Sequence, residues 1–412
     1  MSSSAPAHKS KLPFVVWLLT LGTFLMATTE FIVAGILPEM AADLGVSVSR
    51  AGLLITSFAI GMIVGAPAMS IATLRMPKRL TLVLALAVFA VGHLLAALSS
   101  SFALVLVARV ITAFATGTFW AVASVVATAA VASTARARAM GMIISGVGLA
   151  TVIGVPLGSL VGNHIGWRGA FWALAVLAGA AAVVIGRFIP AEPRSGVAPS
   201  IRSEFAALRS GRLWLALAAS VLLLGGVMAA YSYVAPLLTD RAGVPAGAVS
   251  LILVGYGIGA LIGTNMGGRF GDRRPLAAQI GAALVAVLVL VLLQTPLSTN
   301  PVATVVLLVL MGLAGQSVPP VSTALVVRFA GKAPTLAAAL SASAFNSGIA
   351  IGSAIAGIAL DSSLGLTGPS LVGTIMAALA LVPLLTLAAI RATRTDTPAA
   401  PETSQTAEKA TV

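Results

Sequence analysis

The chain contains no cysteine, which excludes a disulfide framework, a thiolate metal site and a thiol nucleophile. Charge is scarce as well. Only 8% of the 412 residues are Asp, Glu, Lys or Arg, where a soluble domain carries about a quarter. Acids are the rarer sign, 11 against 24 Lys and Arg. The three histidines, His8, His93 and His164, form no cluster with carboxylates of the kind that membrane enzymes use, and no sensor domain follows the last apolar segment, so enzyme and receptor readings find nothing to carry them. What fills the chain is apolar: 59% hydrophobic residues with a mean hydropathy of +1.07. One soluble core cannot hide that much apolar surface, so the solvent is lipid.

At 1.5 Å per residue, about 20 apolar residues cross a bilayer. Six such stretches are predicted at Leu12–Leu37, Arg50–Leu74, Leu80–Leu98, Ser101–Val131, Ala139–Gly162 and Arg168–Ile189. Six more follow at Arg212–Leu238, Ala248–Gly268, Pro275–Thr295, Pro301–Phe329, Pro334–Leu360 and Thr367–Ile390. Span 1 is too long for the apolar core of a cleavable signal and is interrupted by Glu30. The expected organisation is an N-terminal tail 1–11, a six-helix bundle 12–190, a linker 191–211 with Pro193, Pro199 and several charges, a second bundle 212–391, and a Ser/Ala/Thr/Pro-rich tail 392–412 that reads as disordered.

Cytoplasmic loops carry an excess of Lys and Arg. Here every second turn is basic: Lys9 and Lys11 before span 1, Arg75, Lys78 and Arg79 after span 2, Arg136 and Arg138 after span 4, then Arg187 through Arg212, Arg269, Arg273 and Arg274, Arg328 and Lys332, and finally Arg391 and Arg394. The alternate turns hold Glu39, Asp43, Asp240 and Asp361. Both termini are therefore expected in the cytoplasm. The net charge of +13 is spent on these short clusters and builds no basic face for nucleic acid.

The halves repeat. Phe58-Ala-Ile-Gly61-Met-Ile-Val-Gly65 in span 2 matches Tyr256-Gly-Ile-Gly259-Ala-Leu-Ile-Gly263 in span 8, and such symmetry is common in transporters, whose sites lie between repeats near the midplane. Glu30 is the only acid well inside a span, and a carboxylate at that depth faces a wet cavity or the bundle interior and is a functional candidate. Arg109 in span 4 lies about as deep, both about 10 to 12 Å from the outer boundary, so the two can share a layer. Arginine keeps its proton, which makes Arg109 a modulator of Glu30 and not a carrier. Gly154, Gly158 and Gly162 in span 5, and Gly348 and Gly352 in span 11, recur every four residues and form smooth stripes. Pro156 is expected to bend span 5.

Four stretches resemble the major facilitator superfamily, and within it the twelve-span drug:proton antiporters. They are Thr28-Thr29-Glu30-Phe31 with Gly35-Ile-Leu-Pro38; Arg109 at the place of an intramembrane arginine; Gly154-Val-Pro156-Leu-Gly158 with Gly162, trailed by Gly166-Trp167-Arg168; and Gly268-Arg269-Phe270-Gly271-Asp272-Arg273, similar to the superfamily's cytoplasmic loop motif. The resemblance runs from Leu12 to Arg394. The first-half loop departs from it: around Arg75, Lys78 and Arg79, Leu74 stands where the motif has aspartate and Pro77 where it has glycine. Thr112-Ala113 replaces the usual glutamine-glycine after the arginine. The run Ala51 to Pro67 together with Thr-Thr-Glu-Phe most resembles chloramphenicol-resistance exporters, with sugar-efflux proteins as near relatives.

The resemblance implies an all-α membrane protein with twelve transmembrane helices in two pseudo-symmetric six-helix bundles, the major facilitator fold. It implies a monomer in the cell membrane, without a cofactor, that exchanges protons for a small amphipathic drug of the phenicol type; the alternative is export of a sugar or metabolite. Spans 1, 4, 7 and 10 would line the cavity, which makes Thr29, Thr112, Thr116, Phe119, Trp120, Tyr231, Tyr233 and Gln316 the candidate substrate contacts. The glycine stripes of spans 5 and 11 would form surfaces that seal and slide as access alternates. His93, alone in span 3, is expected to pack, and Trp167 with Arg168 to anchor at the interface. The orientation is testable because the native chain lacks cysteine: a single cysteine at Ser200 is expected to resist an impermeant thiol reagent added outside intact cells, and labelling from outside would reverse the topology.

Overall fold

In hydrocarbon an unpaired backbone amide costs several kcal/mol, so a chain of this composition crosses as helices or as a closed barrel. The computed structural model describes residues 12–73, 76–132, 135–189, 209–330 and 334–395. Among them, twelve helices are long and apolar enough to cross a membrane. The first six are α1 (Phe14–Gly35), α2 (Val48–Ala72), α3 (Lys78–Leu98), α4 (Phe102–Ala129), α5 (Arg136–Leu149 continued by Val155–Ile165) and α6 (Trp167–Phe188). The second six are α7 (Gly211–Tyr231), α8 (Ala246–Arg273), α9 (Pro275–Leu292), α10 (Pro301–Ala330), α11 (Pro334–Leu360) and α12 (Gly368–Thr395). Most of the expected linker and tails, and Arg75, lie outside the described residues.

Three expectations about element ends need correction. Span 1 stops at Gly35, and a separate short helix, Leu37–Asp43, follows; span 7 likewise breaks at Ser232 and Tyr233 before Val234–Pro236. Both breaks precede a proline, Pro38 and Pro236, whose ring cannot accept a straight helix through the preceding turn. The two prolines hold matching places in the repeat. Third, the predicted second-half loop is helix. α8 runs through Gly268, Arg269, Gly271, Asp272 and Arg273 and ends only before Pro275, with Gly271 packed on Val321 of α10. Lys78 and Arg79 open α3. In α5 a π-turn at Ala150–Gly154 absorbs Pro156, whose missing amide hydrogen would otherwise break the ladder.

Helices in lipid gain no hydrophobic drive from touching one another, so they associate by close packing. The repeat glycines supply it. A methyl group at Gly61 or Gly65 would strike Val110, Ala113 and Phe114 of α4, and one at Gly259 or Gly263 would strike the Val309 and Leu313 carbonyls of α10. The matched motifs of spans 2 and 8 thus make the same contact in each half. The stripes behave in the same paired way, and differently from the expectation. Gly154 and Gly158 seat Thr28 and Ile32 of α1 and Gly162 seats Ile36 just past its end, while Gly348 and Gly352 meet the Val221 and Gly225 backbone of α7. Each stripe holds its own bundle together and does not face the opposite one.

The bundles meet through other faces, α2 against α11 and α5 against α8. Ser49 donates to the Gly357 carbonyl at 2.7 Å and the Thr56 and Ser353 hydroxyls bond at 2.8 Å, while beside them, within the second bundle, Tyr233 donates to the Ser353 carbonyl at 3.1 Å. On the other seam Ser250 bonds Ser159 at 3.1 Å and Asn163 donates to the Ala246 carbonyl at 3.1 Å. All of these lie toward the end remote from the start of α1 and the finish of α12. There a single hydrophobic core spans both bundles, whereas at the end bearing the chain termini each bundle keeps its own core. The molecule is closed at one end and parted at the other.

At the closed end Trp167 is buried, contrary to an interfacial anchor. Its indole and the Arg168 guanidinium both donate to Asp43. Burial pushes the Asp43 carboxyl up, but these two hydrogen bonds outweigh it and hold the group below its ordinary range. Arg50 lies over Phe102, and Arg241 donates to Ser298 and to the Gln294 and Thr295 carbonyls. The few cations of this end are thus tied into the fold.

Backbone contact predicts a steep response to single methyl groups. A Cβ at Gly352 would lie 2.2 Å from the Gly225 carbonyl oxygen, whereas one at Gly281 meets nothing within 4 Å. Gly352→Ala is expected to cost about 1–3 kcal/mol and to lower the thermal unfolding midpoint of the purified protein, with Gly281→Ala close to wild type.

Candidate functional site

The polar centre of the first bundle is built on Arg109. It is 1% exposed on α4, and a buried charge is tolerated only when hydrogen-bonded or paired. Its Nε donates to the Leu54 carbonyl of α2 at 3.1 Å. Its Nη1 donates to the Thr29 carbonyl at 3.0 Å and to the Thr29 hydroxyl oxygen at 3.1 Å. The guanidinium lies 4.2 Å from the centroid of the Phe58 ring, within cation–π range. Arg109 therefore ties α4 to α1 and α2 at one level, and its Nη2 is left buried without a partner.

His93 extends this network and is more than packing. Its Nδ1 lies 2.8 Å from the Phe89 carbonyl and its Nε2 2.7 Å from the Thr29 hydroxyl, while Phe89 and Phe171 stack about the ring. A carbonyl only accepts, so Nδ1 carries the hydrogen; in the neutral ring Nε2 then accepts from Thr29. The order is fixed: Arg109 donates to Thr29, Thr29 to His93, and His93 to Phe89. A lone histidine in an apolar span gave no spacing signal for this arrangement, because its partner comes from α1.

Glu30 follows Thr29 and points elsewhere. It is partly exposed, yet its Oε2 is buried with no hydrogen-bond partner. The carboxylate is within electrostatic reach of Arg109, as the shared depth implied, but no ion pair joins them; among the described residues the recorded salt bridge is that of Arg168 with Asp43. Two buried, unpaired atoms of opposite charge, Glu30 Oε2 and Arg109 Nη2, thus stand in the same region. The matching positions of the second half, by the register that pairs Pro38 with Pro236, are the buried Met228 and Leu307. The charged pair belongs to one half only.

The candidate substrate contacts separate into three groups. Thr29, Thr112, Thr116 and Phe119 are buried and turn into the first bundle, not toward a cavity. Thr112 packs its methyl against Gly92, Thr116 donates to the Thr112 carbonyl, and Phe119 fills the space beside Gly22. Small neighbours on facing helices draw these side chains inward, which one helix's sequence cannot reveal. Tyr231 and Tyr233 are buried near the seam: Tyr231 stacks 4.4 Å from Tyr256 and meets the edge of Phe31 across the bundles at 6.3 Å, while Tyr233 closes against α11. Trp120 and Gln316 remain partly exposed, the Trp120 Nε1 without a partner and the Gln316 side chain beside Tyr256. Tyr256 was not anticipated, although it heads the second copy of the repeat at the position of Phe58.

The sequence profile of the Major Facilitator Superfamily matches residues 19–299 and 243–411. The chain belongs to the major facilitator superfamily. It is 36% identical over 374 residues to a chloramphenicol resistance protein of Streptomyces lividans, a match covering 90% of this chain and 95% of the relative. It is 32% identical over 372 residues to the inner membrane transport protein YdhP of Escherichia coli strain K12, with the same coverage. Among solved structures, a bacterial homologue of the human lysosomal transporter Spinster superimposes with a TM-score of 0.71 at 16% identity, over 93% of this chain and 97% of that one. This superfamily member is thus a multi-pass membrane transporter with the fold read from its spans.

The ordered chain through Thr29 gives a test. Thr29→Val keeps the shape but strands His93 Nε2 and one Arg109 donor, which costs about 1–3 kcal/mol for a buried unsatisfied group; Thr29→Ser keeps the hydroxyl. A lowered thermal midpoint for the valine variant and near-native behaviour for the serine variant are expected.

Proposed function

We propose that the protein exports a small amphipathic compound, of the phenicol type, in exchange for protons. The observation that carries this reading is the Glu30 carboxylate: a partly accessible acid in the interior of α1, with one buried oxygen unpaired and a fixed cation nearby. A carboxylate in that setting can take up a proton from one side and release it to the other when its surroundings change, and an intramembrane acid earns its cost by such work. The cation does not titrate and biases the carboxylate. The drug class rests on the likeness to the Streptomyces lividans chloramphenicol resistance protein and on the partly exposed aromatic and amide groups, Trp120 and Gln316, that suit a largely apolar ligand with a few polar atoms.

With the basic end in the cytoplasm of a bacterial cell membrane, the parted end faces inward and the sealed end outward, the arrangement from which an exporter loads. Alternating access then requires the Ser49–Gly357, Thr56–Ser353 and Ser159–Ser250 contacts to open while the basic ends close. Each bundle would move as a body because its helices lie close together at their glycines. A single chain supplies both bundles and both seams, so a monomer suffices.

Expression in a sensitive host, scored against phenicols, other antibiotics and arabinose, tests the substrate. Resistance to phenicols that is lost in Glu30→Gln, with the variant expressed and folded, is the expected result. Full gradient-driven efflux by that variant would sink the proton-carrier role, and efflux of sugar without drug resistance would sink the substrate.

A further inference from the structure

At the parted end each bundle carries a crevice, and the two occupy matching places in the repeat. In the first bundle a cavity of about 240 Å³ opens between the starts of α1 and α3 and the ends of α4 and α6. In the second, a cavity of about 220 Å³ opens between the starts of α7 and α9 and the ends of α10 and α12. Val126 and Ile189 wall the first as Leu325 and Leu387 wall the second. Each cavity is lined by apolar side chains together with two cations: Lys78 and Arg79 in one, Arg212 and Arg328 in the other. None of these four makes a salt bridge with a described carboxylate.

The cations do not occupy matching positions. Lys78 and Arg79 both open α3, whereas Arg212 comes from α7 and Arg328 from α10. Duplication alone would have left them in register, and the bias of cytoplasmic loops toward Lys and Arg would place them at this end without gathering two in each crevice. An apolar crevice lined by two cations, at the ends of spanning helices, has the chemistry of a site for an anionic lipid headgroup.

We propose that each crevice seats the phosphate of an anionic phospholipid, with acyl chains against the apolar wall, so that the two bundles are each tethered to the inner leaflet at their moving ends. Neither crevice includes Glu30 or Arg109, so the proposal stands apart from the transport reading.

Native mass spectrometry of the full chain, titrated with phosphatidylglycerol or with phosphatidylcholine of the same acyl chains, tests it. Two phosphatidylglycerol molecules are expected to bind in preference to phosphatidylcholine. Lys78→Ala with Arg79→Ala is expected to abolish one tight site, Arg212→Ala with Arg328→Ala the other, each cation contributing about fivefold in affinity, so about 25-fold per crevice. Lys78→Arg and Arg212→Lys, which keep the charge, are expected to retain both sites and to show that any loss in the alanine variants is not misfolding. Equal binding of the two lipids, both sites surviving in either alanine pair, or displacement of the lipid by millimolar inorganic phosphate would each overturn the proposal.

Discussion

Close approach of helix backbones is the constraint from which the rest of this structure follows. In lipid, where apolar side chains gain nothing by leaving the solvent, a helix pair is held by how near its backbones come. Gly61 and Gly65 let α2 lie on α4, and Gly259 and Gly263 do the same for α8 on α10. Those contacts set the level at which Arg109 meets the Leu54 carbonyl, and so the level of the whole polar centre. At Gly259 and Gly263 the limiting atoms are backbone oxygens, which cannot give way by turning a side chain, and at Gly61 and Gly65 they are the Ala113 methyl and the Phe114 ring, so the α2–α4 and α8–α10 pairs are closely fitted.

Closely fitted bundles move the adaptable contacts to the seams. There the bonds are single hydroxyl and carbonyl contacts, Ser49 with Gly357, Thr56 with Ser353 and Ser159 with Ser250, each worth about 1 kcal/mol net. Bonds of that size can be exchanged for others of the same kind without unfolding anything. A ligand that interacts unequally with two arrangements of such a seam would choose between them.

The duplicated scaffold carries unduplicated chemistry. Pro38 and Pro236 break matching helices, and the glycine stripes of α5 and α11 grip α1 and α7 alike, yet Glu30 and Arg109 correspond to Met228 and Leu307. The cost of burying a charge bears on the asymmetry: a second ionisable centre would need its own cradle of carbonyls and hydroxyls. Arg109 has such a cradle from α1 and α2, with His93 fixing the Thr29 hydroxyl that completes it.

Twelve spans, the two-half repeat, the basic rhythm of alternate turns and the singular acid Glu30 were all present in the sequence, because hydropathy, charge and local motif are properties of consecutive residues. Proline marked the breaks near Gly35 and Ser232, although apolar continuity alone carried the expected spans past them. Which face of a helix meets which neighbour was decided only in three dimensions. That Thr29 turns inward to His93 and Arg109, that Gly158 seats Ile32 of its own bundle, that Glu30 lies near Arg109 without pairing, and that Tyr256 stacks on Tyr231 all depend on helices distant in the chain. Local pattern determines what can enter the membrane; close packing among helices determines which side chains meet there, since a partner from another helix is available only where the backbones are able to touch.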